Sequence, residues 1–162
     1  MKIHIPKDIG DELPLLPDGP CTAVPKNVFI GKNLSKAGNH KLCIKWIVTS
    51  EMYTDNEQSS IGEPVLDKYA LVDNALWRLS DTLKGVTDID LNALCKEKTG
   101  SDSGDIEPSD LAEWVQEKIV GQELNLLLKA ETFEGKTRTK VQAVSKKPFE
   151  SEAQSNTVDE IP

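Results

Sequence analysis

Hydrophobic and polar residues alternate most regularly between Lys41 and Thr49. Every second position there is apolar: Leu42, Ile44, Trp46 and Val48. A period of two predicts a β-strand with one face in the core and the other toward solvent. The solvent face would then carry Lys41 and Lys45.

Four other segments have extended character. They are 21–30, 64–72, 122–131 and 136–145. In the first, we expect Val24, Val28 and Ile30 to face the core and Phe29 to face outward. Pro25 cannot donate a ladder hydrogen bond, so it indicates an edge position or a bulge. In the segment 122–131, alternation places Leu124, Leu126, Leu128 and Ala130 inward.

Between the segments 64–72 and 122–131 the period becomes helical. Asp73 is a potential N-cap for a helix to about Lys84, with Gly85 just past its end. A short helix is predicted over 91–98. Pro108 favours the start of a third helix, which Gly121 would end. The buried stripe of this third helix would be Leu111, Trp114, Val115 and Ile119.

The order of elements predicts the fold class. Three strands, a helical insertion and two more strands are the order of an OB-like five-stranded barrel, a mainly β chain with helices (α+β). We therefore divide the chain into an N-terminal arm (1–18), an OB-like domain (19–147) and a disordered, acidic C-terminal tail (148–162). In this fold, nucleic acids bind the face of strands 2 and 3 and the loops between strands 1–2 and 4–5.

The charges are sorted along the chain. The net charge is −8, yet residues 19–50 contain five lysines and no carboxylate, and residues 135–147 contain five basic residues and no carboxylate. Residues 51–134 contain nineteen carboxylates against seven lysines or arginines. A basic surface on an acidic protein is typical of a polyanion site. The alternative is two solvated strands that are merely rich in lysine.

A single-strand site needs cations for phosphates and flat groups for bases. The candidate cations are Lys26, Lys32, Lys36, Lys41, Lys45, Lys136, Arg138 and Lys140. The candidate stacking rings are Phe29 and Phe133, with Tyr53 and Tyr69 as further possibilities. Alternation in the second strand predicts that Trp46 belongs to the core, and helical spacing predicts the same for Trp114. We expect Trp77 to lie where a helix packs against the barrel.

The C-terminal residues form a second candidate site. Asp159, Glu160, Ile161 and Pro162 combine acids with a terminal apolar pair. Such a segment can bind a basic-rimmed apolar pocket on a partner protein, or fold back on the basic surface of its own chain. A plain solvated terminus is the alternative.

Signals for catalysis, cofactors and metals are weak. His4 and His40 have no nearby second His or Cys pair at metal-ligand spacing, and the acidic 102–107 segment is an incomplete calcium loop. No Gly-rich phosphate loop is present. The three cysteines are distant from one another and predict reduced, buried thiols in a cytoplasmic protein. No apolar run is long enough for a membrane span, and the N-terminus is a poor export signal. We therefore expect a non-enzyme without cofactor or metal.

Four stretches carry a resemblance to a known family. They are LPDGPCTAVPKNVFI, KAGNHKLCIKWIV, DNALWRLSDTLKG and GQELNLLLKAETFEGKTRTKVQAV, and they span most of residues 14–147. The chain resembles phage-encoded single-stranded DNA-binding proteins of replication and recombination gene clusters. Its Asp-Glu-Ile-Pro ending is similar to the acidic tip of bacterial single-stranded DNA-binding proteins, which continues with a phenylalanine. The resemblance implies sequence-tolerant single-strand binding in the host cytoplasm, beside replication or recombination proteins.

Three functional hypotheses follow. The leading one is a non-catalytic coat for single-stranded DNA, with the tail recruiting partners. The second is a protein–protein interaction module whose basic strands bind an acidic partner. The third is an acidic mimic of DNA that inhibits a DNA-binding enzyme, which leaves the sorted lysines without a role.

Overall fold

Five strands and three helices are present in the part of the protein that the structure describes. The computed structural model describes residues 15–31, 38–50 and 60–149. The strands are β1 (Gly19–Ile30), β2 (Lys41–Val48), β3 (Pro64–Ala70), β4 (Leu124–Phe133) and β5 (Lys136–Ser145). The helices are α1 (Leu76–Thr87), α2 (Leu91–Thr99) and α3 (Pro108–Ile119). All three lie between β3 and β4, as predicted.

The strands form one antiparallel sheet in the order β3-β2-β1-β4-β5. Strand β1 is long enough to have two partners. Its first residues, 19–23, pair with β4, whereas residues 23–30 pair with β2. The predicted OB-like α+β class is confirmed by this arrangement, in which β3 and β5 are the two edges of the sheet.

A β-bulge in β1 changes which residues face the core. The register shifts between Pro25 and Asn27, so that Lys26 is an extra residue on this strand. One inserted residue inverts the alternation beyond it. Cys21 and Ala23 therefore face the core before the bulge and Val28 faces it afterwards. The bulge at the proline was predicted, but placing Val24 on the face of Val28 was wrong for this reason.

The core lies between the curved sheet and the helices. The predicted inward row of β2 is confirmed, and Trp46 at its centre is 0% exposed. The β4 leucines pack from the opposite side, joined by the helix residues Leu79, Leu83, Val86, Leu94, Val115 and Ile119. Leu16 also belongs to this core, so packing begins before β1. Ala130 was predicted to be inward but is exposed, because β4 extends past the core at that point.

The boundaries of α1 differ from the prediction. It begins after Ala75, with no side-chain cap, and continues through Gly85 to a left-handed Asp88. Its buried stripe is Leu79, Leu83 and Val86, which turns Trp77 toward solvent with 63% of its surface exposed. The position predicted for Trp77, where a helix packs against the barrel, was therefore wrong. At the start of α2, the Asp90 carboxylate caps the helix by accepting a hydrogen bond from the Ala93 N–H. At the start of α3, Pro108 occupies the first turn.

Arg78 of α1 joins the two edges of the sheet. Its Nη2 donates to Asp67 Oδ1 of β3 and to the Val141 carbonyl of β5, both at 3.0 Å. Its Nη1 donates to the Lys68 carbonyl at 2.8 Å, and its guanidinium lies 4.3 Å from the centre of the Tyr69 ring. Strands β3 and β5 share no backbone ladder. One side chain therefore connects strands that would otherwise be linked only through packing.

Asp67 is the anionic partner of this connection and is 2% exposed. Burial raises the pKa of its carboxyl, and the neighbouring Arg78 guanidinium opposes that rise. Its second oxygen, Oδ2, is buried and accepts no hydrogen bond from the described residues. Arg78 is thus the main source of compensation for the charge on Asp67, and the Tyr69 hydroxyl and the Lys68 backbone N–H lower the pKa of this carboxyl to a smaller extent.

Within the described ranges, no helix combines the length and apolar character that a membrane crossing requires.

Candidate nucleic-acid interface

The outward sides of β1, β2 and β3 form one surface, which we call the basic sheet face. Its members are Lys26, Asn27, Phe29, Lys41, Cys43, Lys45, Leu66 and Lys68. They point away from the core because the alternate positions in each strand are buried. The four lysines come from three different strands.

Strand register determines which of these residues are neighbours. Phe29 lies opposite Cys43, which lies opposite Lys68 on β3. Asn27 lies opposite Lys45 in the same way. Adjacent strands are about 4.8 Å apart, so each row brings an aromatic or polar group within side-chain reach of an ammonium group.

The lysines of the basic sheet face are available for an anionic ligand. In the part of the chain that the structure describes, none of Lys26, Lys41, Lys45 and Lys68 forms an ion pair. Every described outward position of these three strands is neutral or basic, since the one carboxylate within them, Asp67, points inward. The electrostatic potentials of the four lysines therefore reinforce one another at this surface.

Sequence reasoning missed Lys68. It follows Asp67 directly, so the local charge is zero and the segment belongs to the acidic part of the chain. The inward positions of Val65 and Tyr69 place Lys68 on the opposite face. Applying the same alternation rule to β3 as to β2 would have identified it.

Cys43 lies among the lysines of the basic sheet face and is only 3% exposed, although its side chain points away from the core. Burial raises the pKa of its thiol, while the ammonium groups of Lys68 and Lys41 act in the opposite direction. The thiol is therefore neutral at physiological pH. It packs as a small apolar group between the lysines.

A second basic surface lies on the β4–β5 hairpin. Lys136, Arg138 and Lys140 are exposed there, as predicted, on the last strand. Lys140 Nζ lies 3.5 Å from Glu131 on β4, and the turn is formed by Glu134 and Gly135 with positive φ angles of 51° and 79°. We call residues 129–140 the basic hairpin. The Asp18 carboxylate supports it by accepting the Ala130 N–H at 2.7 Å.

The two basic surfaces lie toward different ends of β1. Gly19 pairs with Leu128, so the hairpin extends beyond the start of β1, whereas Phe29 and Cys43 of the basic sheet face pair near its end. In the sheet, β1 and β4 separate β2 from β5. That the cations of β2 and β5 share one ligand surface stays a prediction.

The remaining candidates divide into two groups. Lys32, Lys36, Tyr53 and the tail residues Asp159, Glu160, Ile161 and Pro162 lie outside the described residues, as does the side chain of Phe133. Tyr69 is in the core and its hydroxyl pairs with Thr82, so it cannot stack on a base. Trp46 is buried and Trp114 packs against the core, as expected. Phe29 is thus the half-exposed ring among the lysines.

The described residues contain no group of three or more His, Cys, Asp or Glu side chains placed to hold a metal ion.

Comparison with known proteins identifies no family. No family model matches the sequence, and no curated protein sequence matches it. Among solved structures, the chain is similar to one described as yeast RPA bound to ssDNA, with 12% identity and a TM-score of 0.34. That alignment covers 93% of this chain and 86% of the yeast chain.

Proposed function

We propose that this protein binds single-stranded DNA without sequence preference and without catalysing a reaction on it. The observation that carries this proposal is the basic sheet face, where four lysines from three strands surround Phe29 with no carboxylate among the described outward residues. Lysines bind phosphates at any sequence, and a ring accepts the flat side of any base.

The neutral part of the surface favours a single strand over a duplex. Phe29, Ile47 and Leu66 are half-exposed between the lysines. Unstacked bases present apolar faces that such side chains can cover, whereas a duplex keeps its bases stacked inside and offers only phosphates and groove edges. The basic hairpin supplies further phosphate contacts in this proposal.

The resemblance of the sequence supports a biological role for this binding. We place the protein in phage DNA replication or recombination in the host cytoplasm, with the Asp159–Pro162 segment recruiting partner proteins. The acidic remainder of the chain limits non-specific contact with other polyanions.

Titration with oligo-dT tests the proposal. With five phosphate contacts, we expect log K to fall with log salt concentration at a slope of about −3.5, since each contact on a single strand contributes about −0.7. Fluorescence anisotropy with labelled oligo-dT, a duplex of equal length and an oligo-rU should show tightest binding to single strands.

Two outcomes of the titration favour the alternatives. Equal affinity for duplex and single strand, or no binding at low salt, favours the protein–protein interaction module. Retention of the protein by an immobilised basic nuclease, without oligo-dT binding, favours the acidic mimic of DNA.

Removing the tail provides a separate prediction. A chain ending at Phe149 loses Glu150, Glu152, Asp159 and Glu160. If these acids compete with DNA for the lysines, their removal tightens oligo-dT binding several-fold at low salt, and the difference disappears at high salt because screening weakens both interactions. A full-length chain with all four acids changed to their amides is the matched control and should bind like the shortened chain. Equal affinity of all three proteins contradicts competition by the tail.

A further inference from the structure

An apolar groove lies where the three helices meet the end of the sheet that is formed by the start of β2 and the end of β3. It is bounded by the three helices, the 100–107 loop, Leu71 after β3 and His40 before β2. Its volume is about 330 Å³. That size falls within the range of about 300–1,000 Å³ that ligand sites occupy.

The lining is apolar and incompletely covered. Leu71, Leu76, Leu91, Ile106 and Trp114 are half-buried along it. A contiguous recess of large side chains that remains partly hydrated is a common mark of a binding surface, because covering it removes apolar area from water.

The outer wall of the groove is held in place. The Asn92 side-chain amide donates to the Asp102 carbonyl at 2.8 Å, which ties the loop to α2. Ile106 packs against the core from the same loop. The recess is therefore preformed and requires little ordering on binding.

The rim is strongly acidic. Residues 100–107, which form the loop beside the groove, contain three carboxylates and no lysine or arginine. Asp102 lines the groove, and Asp105 and Glu107 are exposed on the same loop. None of these three carboxylates forms an ion pair with a described residue. Their uncompensated field attracts a cationic ligand and repels an anionic one.

We propose that this groove binds a segment of a partner protein in which a large apolar side chain is flanked by lysine or arginine. The apolar anchor fills the recess, and the basic flanks meet Asp102 and Asp105 at the rim. The same charges disfavour DNA, and they disfavour the protein's own C-terminus, where Ile161 follows Asp159 and Glu160.

Peptide selection tests this proposal with the full chain. A displayed library of random 12-residue peptides is selected on the protein and counter-selected on Ser103→Trp, which places a ring at the groove without changing charge. We expect the surviving peptides to contain Leu, Phe, Met or Trp among basic residues. Synthetic versions should bind at least tenfold more weakly to Asp102→Lys/Asp105→Lys, measured by fluorescence anisotropy.

The matched control is Asp81→Lys/Glu123→Lys, which makes the same charge change at exposed positions outside the groove. It should keep affinity within about threefold, because distant exposed charges are screened. The proposal is overturned if no peptides survive the selection or if only acidic peptides survive. It is also overturned if the peptides bind equally well to the Asp102→Lys/Asp105→Lys variant. Ser103→Trp should leave oligo-dT affinity unchanged, so failure here is distinguishable from failure of the DNA-binding proposal.

Discussion

Changing Lys45 and Lys68 together to glutamate is expected to weaken oligo-dT binding by about 100-fold or more. Both side chains lie on the basic sheet face, on neighbouring strands, with no ion-pair partner among the described residues. A hydrogen bond to a charged group contributes about 1.5–3 kcal/mol, and about 1.4 kcal/mol corresponds to a factor of ten. Two lost contacts therefore remove about two orders of magnitude, and the introduced carboxylates add repulsion.

The matched control changes Lys84 and Lys96 to glutamate. These lysines are exposed on α1 and α2, outside the basic sheet face, and the variant has the same net charge. It should bind within a few-fold of the natural protein. Equal losses in both variants would show that net charge rather than a defined surface controls affinity.

Neutral substitution separates contact from repulsion. Lys45→Gln/Lys68→Gln should reduce the magnitude of the salt slope by about 1.4, because two contacts of about 0.7 each disappear. The neutral variant Lys136→Gln/Arg138→Gln tests the phosphate contacts of the basic hairpin in the same way. An unchanged slope in the glutamine variant would contradict phosphate contacts at Lys45 and Lys68.

Replacing Arg78 by methionine is expected to destabilise the protein by about 3–5 kcal/mol. The substitution leaves the buried Asp67 carboxylate without its cation and removes the hydrogen bond to the Val141 carbonyl. Loss of one partner of a buried ion pair typically has a cost of this size. Urea unfolding followed by circular dichroism measures the change in the free energy of unfolding.

Two variants accompany this measurement. Lys118→Met breaks an exposed pair with Glu97 and should change stability by no more than about 1 kcal/mol. Asp67→Leu/Arg78→Met removes both buried charges and should recover part of the loss, because no uncompensated carboxylate remains. Equal stability of the Arg78→Met and Lys118→Met proteins would contradict the role of Arg78 in joining the sheet edges.

The pH dependence gives a further check on Arg78→Met. Burial already raises the pKa of Asp67, and loss of Arg78 removes the charge that opposes this rise. The folded state then binds a proton at pH values where the unfolded Asp, with a pKa of about 3.9, has released it. Stability of the variant should therefore increase relative to the natural protein as pH falls from 7 toward about 4. A difference that is constant over this range would indicate that Asp67 does not titrate there.

Local patterns in the sequence determined the architecture and much of the candidate site. Alternation in β2 was strong enough to place Trp46 in the core and Lys41 and Lys45 outside. The change from a period of two to helical spacing located the insertion between β3 and β4. These features depend on residues that are close together in the sequence. They can therefore be predicted without knowing which strands pair with each other.

Only the tertiary structure decided which residues from different strands share a surface. The bulge beside Pro25 inverted the faces of β1, and pairing of β2 with β3 brought Lys68 beside Cys43. Arg78 joined β3 to β5 by donating to Val141, which lies 63 residues further along the chain. The apolar groove arose where three helices meet one end of the sheet. Long-range register and helix packing control all of these, because contact between distant segments depends on the summed burial of the whole core rather than on any local pattern.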